Sequence, residues 1–571
     1  MFKKITYLLL ALISLNSFSQ NRNSELAHTL YAIIPNNADN NDVVVEMNSN
    51  HSWDTISSIT WTIIEDTSGI FGLSSDTLIV SDNTNLTAGT YEVQFGVSDS
   101  YYSDYDYLYI TCLDTTSNDI FIDPDAGSDG DGTRDSPNNS LTEFDADNAQ
   151  ADYTYWVLRG TLDTLTETIK PDQIIDICAY GRGARPIIQT NTNDTGMFFY
   201  DVDSFTIRDI HFRCNNGLAS AHNDLCYDIT YDNCIFEGLS GKEPYNGLRA
   251  TRISGLDLLN TRIYTIGDDA FPAYESEEIL VESCHIFDVN IDGTNGDCIH
   301  LYGDNVGRNN EYEVRYCLLD HRTEAGKHVV CVGNEVGDAD SIYNVNVHHN
   351  RIYGYYSDNK GVTFQRVDTG SIHHNFIKET SRAINFNDTC REIDIYHNVI
   401  DSASYYGVYV GTGIYSGIRI NNNTFFDIDS SFEHSAIITA FNRDITDKNN
   451  IFDKHGKPGP IFYQLGGGSD EDYNMANPDF GAYSEGANSI ENYAEFADTA
   501  ASDFRLKITS PAINEGVSVG LTRDIRNYII PQGSAPDMGA YERIVDKVLK
   551  FPGNRDMWLE FPGNRKFVIK K

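Results

Sequence analysis

The chain has 571 residues, enough for a sizeable core and for up to four domains at about 150 residues each. Asp and Glu number 84 against 41 Lys and Arg, a net charge of −43 spread along the whole chain, so no basic face is offered to nucleic-acid phosphates. Gly (44), Tyr (35) and Phe (28) far outnumber Met (6), and Asn and Asp punctuate short runs of Ile, Val, Tyr and Thr, the composition of a β protein with many turns.

Residues 1–20 read as a secretory signal peptide: Lys3 and Lys4 precede the apolar run Leu8–Ile13, followed by Ser17, Phe18, Ser19 and Gln20. No later stretch approaches about 18 consecutive apolar residues, so a secreted or cell-surface protein without a membrane span is expected. The ten cysteines stand where small apolar residues suit a solenoid, which predicts free, buried thiols.

Residues 24–115 alternate short β runs (Ile59–Ile63, Thr77–Val80, Tyr91–Val97) with polar turns, the pattern of a small β-sandwich. The segments Gly69–Leu73, Gly89–Tyr91 and Val97–Asp99 resemble cadherin-like or immunoglobulin-like modules of exported bacterial proteins, implying a spacer or sugar-docking accessory.

From about 205 to 454 the chain repeats. Aligning Ile210, Cys234, Thr261, Cys284, Cys317, Asn350, Asn375, Asn398, Asn423 and Asn450 gives intervals of 24, 27, 23, 33, 33, 25, 23, 25 and 27 residues. Two places after each anchor stands an apolar residue: Phe212, Phe236, Ile263, Ile286, Leu319, Ile352, Ile377, Ile400, Phe425 and Phe452. Three places before stand Ile207, Tyr231, Leu258, Val281, Val314, Val347, Ile372, Ile395, Ile420 and Asp447. Alternation of period two, recurring every two dozen residues, predicts stacked coils that each give one strand per sheet. The five consecutive Asn anchors suit a tight turn that tolerates the left-handed region, with side-chain amides bonding up the stack.

This pattern resembles the right-handed parallel β-helix of the pectate-lyase-like superfamily, and the handedness is what the resemblance implies. Asp123–Pro137 and Ile177–Ile188 resemble the entry and first coils of such exported proteins, and Asp503–Leu506, Ser510–Ile513 and Asp537–Glu542 their closing coils, so the resemblance spans 118–545. The expected fold is therefore all-β: a parallel β-helix solenoid preceded by a small β-sandwich. Residues 546–571 repeat Phe-Pro-Gly-Asn-Arg at Phe551–Arg555 and Phe561–Arg565, a turn signal read as a terminal hairpin or cap.

A second ladder aligns Asp269, Asp297, Lys327, Lys360, Arg382, Tyr406 and His434, with Phe271, Ile299, Val329, Val362, Ile384, Val408 and Ala436 two places on. Coils about 4.8 Å apart would line these side chains in one file, acids first and cations next. The two 33-residue intervals predict loops that wall a groove, and the same stretch holds Asp292, Asp297, His300, Tyr302, Asp304, His321, Arg322, Lys327, His328 and Glu335. Lys327, Lys360 and Arg382 suit the carboxylates or sulfates of an acidic polysaccharide, with His321, Arg322, His328 and Tyr302 as further contacts.

Three functions fit, β-elimination first because the cations cluster beside the widest loops. β-Elimination at a uronic acid needs a base at C5 and a cation that neutralises the carboxylate; Lys327 would be the base, with Arg366 or His300 as proton donor and clamp. Val362–Arg366 resembles the arginine-bearing strand of the alginate lyase and chondroitinase B group, a resemblance that implies lysine, arginine and calcium. Hydrolysis instead needs a carboxylic acid and a carboxylate, about 6.5–9.5 Å apart for inversion. Gly267–Phe271 resembles the Gly-Asp-Asp coil of polygalacturonases, which implies Asp268 or Asp269 paired with Asp297. The third reading is a non-catalytic adhesin or glycan-binding protein. Asp268, Asp269, Asp297 and Asp304 would also suit calcium, a hard cation taking six to eight oxygens. His348 with His373, and His349 with His374 and His397, form piles that either bind a metal or complete ladder hydrogen bonds. A monomer is expected.

Overall fold

The structure is a computed structural model that describes residues 118–543 apart from 145–149, 172, 192–194, 216, 218, 292–295, 304–309, 322–326, 334–340, 356–358, 412–414, 429–437, 441–444, 457–461, 465–469 and 478–485. It further describes 26–28, 31–46, 49–51, 60–75, 77–98 and 103–113 at one end, and 558–560 and 566–568 at the other. The leader-like residues 1–20, with Asp292, Asp304, Arg322, Glu335 and His434, lie outside the described residues.

Each solenoid coil contributes to three faces. The first face is a 14-stranded sheet running from Asp119–Ile122 to Asp470–Asp472, its described ladders all parallel. The second and third faces join at their shared edge into one 23-stranded sheet. Every anchor alignment on the first two faces is realised. Phe212 pairs in succession with Phe236, Ile263, Ile286, Leu319, Ile352, Ile377, Ile400, Phe425 and Phe452 on the second face. Ile207 leads through Tyr231, Leu258, Val281, Val314, Val347, Ile372, Ile395 and Ile420 to Asp447 on the first. These side chains form one continuous buried core along the axis. Asp447, the sole polar member of the first-face file, is buried and accepts Asn474 Nδ2 at 2.7 Å.

The corner between the first two faces is closed by an amide ladder. Asn375 Oδ1 accepts both the backbone N–H and the Nδ2 of Asn350, at 3.0 and 3.1 Å, while Asn350 Nδ2 also donates to the Val314 carbonyl at 2.8 Å. The same bonds recur from Asn375 to Asn398, Asn423, Asn450 and Asn474. In the upstream coils Cys317 N–H is accepted by Asn350 Oδ1, and Cys234 N–H by Thr261 Oγ1. One detail differs from the expectation. The left-handed residue is the one before each Asn, as at His349, His374, His397, Asn422 and Asn449, with φ between 52° and 60°. The anchors themselves keep negative φ, and their amides bond along the stack.

All ten cysteines are buried and free. The N-terminal strands form a four-stranded sheet (Tyr31–Pro35, Ser103–Leu113, Gly89–Ser98, Thr60–Asp66) and a three-stranded one (Val43–Glu46, Thr77–Val80, Phe71–Ser74), sharing a core of Val44, Trp61, Leu78, Val80, Val93, Phe95 and Ile110. This unit is tied to the first coils: Val43 N–H donates to the Gly181 carbonyl at 2.9 Å, and Asp42 pairs with Arg134.

The closing segment departs from the expectation of further coils. Asp503–Leu506 pairs antiparallel with Phe496–Asp498, and the chain to Tyr541 lies along the flank, packing Phe504, Ile525, Met538 and Tyr541 on Phe376, Val399, Phe426 and Ile451. Apolar side chains left on the outside of the second face, such as Val399, favour a cover over another floor. Trp558–Glu560 and Lys566–Val568 pair antiparallel.

Candidate active site

The third face carries the reactive side chains, and its register corrects the second ladder. Phe271 pairs with Ile299 as aligned, but Ile299 pairs with Val330 instead of Val329. The next pairs are Val330 with Val362, then Ile384 and Val408, and Val408 meets Ile438 where Ala436 was expected. Two adjacent valines made either parity acceptable, and a slip of one residue exchanges the two sides of a strand. The strand begins at His328, whose N–H is accepted by Asp297 Oδ1 at 2.7 Å. The file is therefore Asp269, Asp297, His328, Lys360, Arg382 and Tyr406. Lys327 is exposed, its carbonyl accepting the Lys360 N–H.

Asp269 and Asp297 sit where each coil re-enters the third face. Asp269 Oδ1 accepts the Asp297 N–H at 2.7 Å, so each carboxylate captures a backbone amide where the next coil enters the face. Asp297 Oδ2 lies 3.0 Å from His300 Nδ1 and 3.3 Å from His328 Nδ1, and Asp269 Oδ2 lies 3.8 Å from the same His300 nitrogen. Both carboxylates thus surround one imidazole nitrogen. Their ionisation is driven apart. Burial, reinforced by the charge of Asp297, pushes Asp269 up to about 7. Burial also opposes charge on Asp297, but His328 and His300 outweigh it and hold that carboxyl well below the usual range.

His300 lies between the inward Ile299 and Leu301 and so faces outward. Its ring stacks on Tyr302 at 3.6 Å, Tyr302 on Tyr274 at 4.4 Å, and Arg249 lies 4.6 Å over Tyr274. Burial, then the neighbouring Asp269, raises the Tyr302 phenol. Asp268 accepts from Tyr245, a hydrogen bond that with burial takes that phenol up to about 12. The outward file continues from His300 through Cys331, Thr363 and Asn385 to Tyr409. Arg382 joins it, donating to Asn385 Oδ1 at 2.9 Å with its guanidinium 4.3 Å over Tyr409.

Other expected contributors lie elsewhere. Arg366 follows the far end of the strand Lys360–Gln365, about 20 Å along from Lys360, and its Nε donates to Asp388 Oδ2 at 2.5 Å. It cannot clamp a group held at Asp297. His321 is fully buried, its Nε2 on the Gly296 carbonyl at 2.9 Å, so it supports the residue before Asp297 from within the fold. His328 is likewise buried behind Asp297. In the calcium set, Asp269 and Asp297 spend oxygens on backbone N–H and imidazole. The ligand atoms that do converge, within 4.8 Å of one another, belong to Asp297, His300 and Cys331, a softer set than calcium takes. Arg249, Tyr274, Cys331 and Tyr409 escaped the sequence reading. They stand one place from inward apolar residues, and reading the alternate parity of the same ladder would have found them.

No protein-family model and no curated protein matches the chain. Among solved structures it is similar to a GH136 lacto-N-biosidase from Eubacterium ramulus, at 15% identity and TM-score 0.35 over 65% of this chain and 67% of that one. It is similar to the catalytic domain of a GH87 α-1,3-glucanase in complex with nigerose, at 12% identity and TM-score 0.39 over 77% and 88%. It is also similar to a family 28 exopolygalacturonase of Yersinia enterocolitica, at 8% identity and TM-score 0.38 over 80% and 98%.

Proposed function

We propose that the third face is the active site of an exported glycan-cleaving enzyme, and that the bond is cleaved by hydrolysis. The observation that carries this reading is the pair Asp269 and Asp297, adjacent on successive coils with ionisation pushed in opposite directions. Such divergence assigns acid and base roles. Asp269 keeps a proton near neutrality and donates it to the departing glycosidic oxygen. Asp297, ionised, accepts the His300 Nδ1–H, which leaves the Nε2 lone pair on the outer face to take a proton from the attacking water. The file of Lys360 and Arg382, with Tyr406 and Tyr409, favours an acidic glycan lying along the coils.

Elimination, placed first by the sequence, is supported less. With Lys327 out of the file and Arg366 bound to Asp388, no Lys or Arg among the described residues is hydrogen-bonded or ion-paired to Asp269, Asp297 or His300. Lys360 and Arg382 stand two and three coils on from Asp297, about 10 and 14 Å along the stack, so a uronate carboxylate held at Asp297 has neither beside it. The test is a panel of uronic, sulfated and neutral polysaccharides, assayed both for new reducing ends and for the ultraviolet absorbance of an unsaturated product. Reducing ends without that absorbance, abolished in Asp269→Asn and Asp297→Asn, support hydrolysis. The absorbance would replace it with elimination, and turnover unchanged in both variants would remove the site altogether.

A further inference from the structure

A second group of side chains lies away from this face, at the corner where the first face turns into the second. His348 and His373 end successive first-face strands and pair in register, and each is followed by a left-handed histidine, His349 or His374. The positive φ swings the second imidazole back beside the first. In each coil the two Nδ1 atoms lie 2.8 Å apart, and the coils stack ring on ring, His348 on His373 at 4.7 Å and His349 on His374 at 4.6 Å. Ligand nitrogens of His348, His349 and His373 all lie within 4.8 Å of one another, and all three rings are only partly buried.

The tautomers are set from outside. His348 Nε2 lies 2.8 Å from Glu313 Oε1, and a carboxylate only accepts, so Nε2 carries the proton and Nδ1 offers its lone pair to the corner. His374 Nε2 lies 3.1 Å from the Asp524 carbonyl of the closing segment, so His374 also keeps its proton on Nε2, and the 2.8 Å pair in that coil is closed by a proton on His373 Nδ1. A carboxylate on the remote nitrogen of an imidazole is the usual outer partner of a metal ligand. His397 continues the column, its ring 5.1 Å from His374, fully buried and with neither nitrogen hydrogen-bonded among the described residues.

We propose that His348, His349 and His373 form a binding site for a divalent transition-metal ion, with Glu313 as the outer partner that orients His348. Two nitrogens about 2.0 Å from an ion span about 2.8 Å when cis at a right angle, so the His348 and His349 pair needs little rearrangement to hold an ion, and an all-imidazole set with open water positions suits Cu(II) and Ni(II). Water completes the coordination on the open side. Binding displaces two Nδ1 protons, the one His349 gives to His348 and the one His373 gives to His374, and each ring takes up a proton from solvent at Nε2 so that it stays a neutral imidazole.

The test uses the untagged full chain, stripped with chelator and titrated with CuSO₄ and NiCl₂ by calorimetry, with the copper form examined by electron paramagnetic resonance. One equivalent of Cu(II) with imidazole nitrogen couplings is expected. Affinity should fall by more than about tenfold in His348→Gln and in His373→Gln, and by about 10- to 100-fold in Glu313→Gln, a partly exposed position that also pairs with Arg315, so each variant is first matched to the parent in its urea midpoint. Asp297→Asn and His300→Gln should bind as the parent does. The proposal is overturned if no stoichiometric ion binds, if these histidine and glutamate variants bind unchanged, or if His300→Gln alone removes the ion, which would assign it to Asp297, His300 and Cys331.

Discussion

The amide ladder at the first corner and the carboxylate ladder at the entrance to the third face use one device differently. In both, a side-chain oxygen on one coil accepts the backbone N–H of a neighbouring coil: Asn398 Oδ1 holds the Asn375 N–H at 3.0 Å, and Asp297 Oδ1 holds the His328 N–H at 2.7 Å. The neutral ladder repeats through six coils with nothing left over. The acidic one runs for two and leaves Oδ2 of each carboxylate facing an imidazole. Repetition of a neutral group builds a wall, whereas a short run of charged groups beside long loops concentrates ionisable atoms where a ligand can reach them.

Breaking the acidic ladder should have the largest consequence for turnover. Asp297→Asn is expected to cost about 10³-fold in the rate constant for cleavage, because it removes the acceptor that fixes the His300 tautomer while keeping the shape. Asp269→Asn should cost a similar factor through loss of the proton donor. Steady-state rates on a substrate from the polysaccharide panel, alongside unchanged circular dichroism, check both. The neutral ladder should answer in stability. Asn398→Ala leaves the Asn375 N–H and the Ile372 carbonyl without their partners in a fully buried corner, and a loss of about 3 kcal/mol in urea unfolding is expected.

The contrast also explains what could be read from the sequence. Ten anchors with invariant apolar partners have only one alignment that buries all of them, so the first two faces were legible down to individual pairs such as Ile352 with Ile377. The third face was legible only where parity was unambiguous. At Val329 and Val330 it was not, and the one-residue error exchanged His328 for Lys327 in the file. The outward residues Arg249, Tyr274 and Tyr409 carried no repeat of their own. The closing segment escaped because its alternation says that it buries apolar residues, not against which surface.

Acidity offers a finer way to separate the two ladders, since the amides do not titrate. Asp269, raised to about 7 by burial and Asp297, holds a proton in the folded chain that an unfolded Asp loses near 4. The folded state therefore binds more protons between about pH 4 and 7, and this contribution is lost as pH rises through that window. Relative to Asp269→Asn, the parent should lose about 2 kcal/mol of unfolding free energy between pH 5 and pH 7. Turnover should decline over the upper part of the same range as the donor loses its proton, which parallel pH profiles of urea midpoint and rate would register.

The smallest expected effect is the most discriminating for register. Lys327 is exposed and one residue outside the strand, while His328 is buried with its N–H and Nδ1 on Asp297. Lys327→Ala should leave stability within about 0.5 kcal/mol and turnover within about twofold, as for an ordinary surface position. His328→Ala removes an imidazole from a carboxylate that is 1% exposed and should impair both. Had the alignment through Val329 been the true one, the lysine would occupy the place beside Asp297 and the two variants would exchange their phenotypes. A rate collapse in Lys327→Ala with a silent His328→Ala would therefore restore the cation to the file, and with it the neutralising charge that elimination requires.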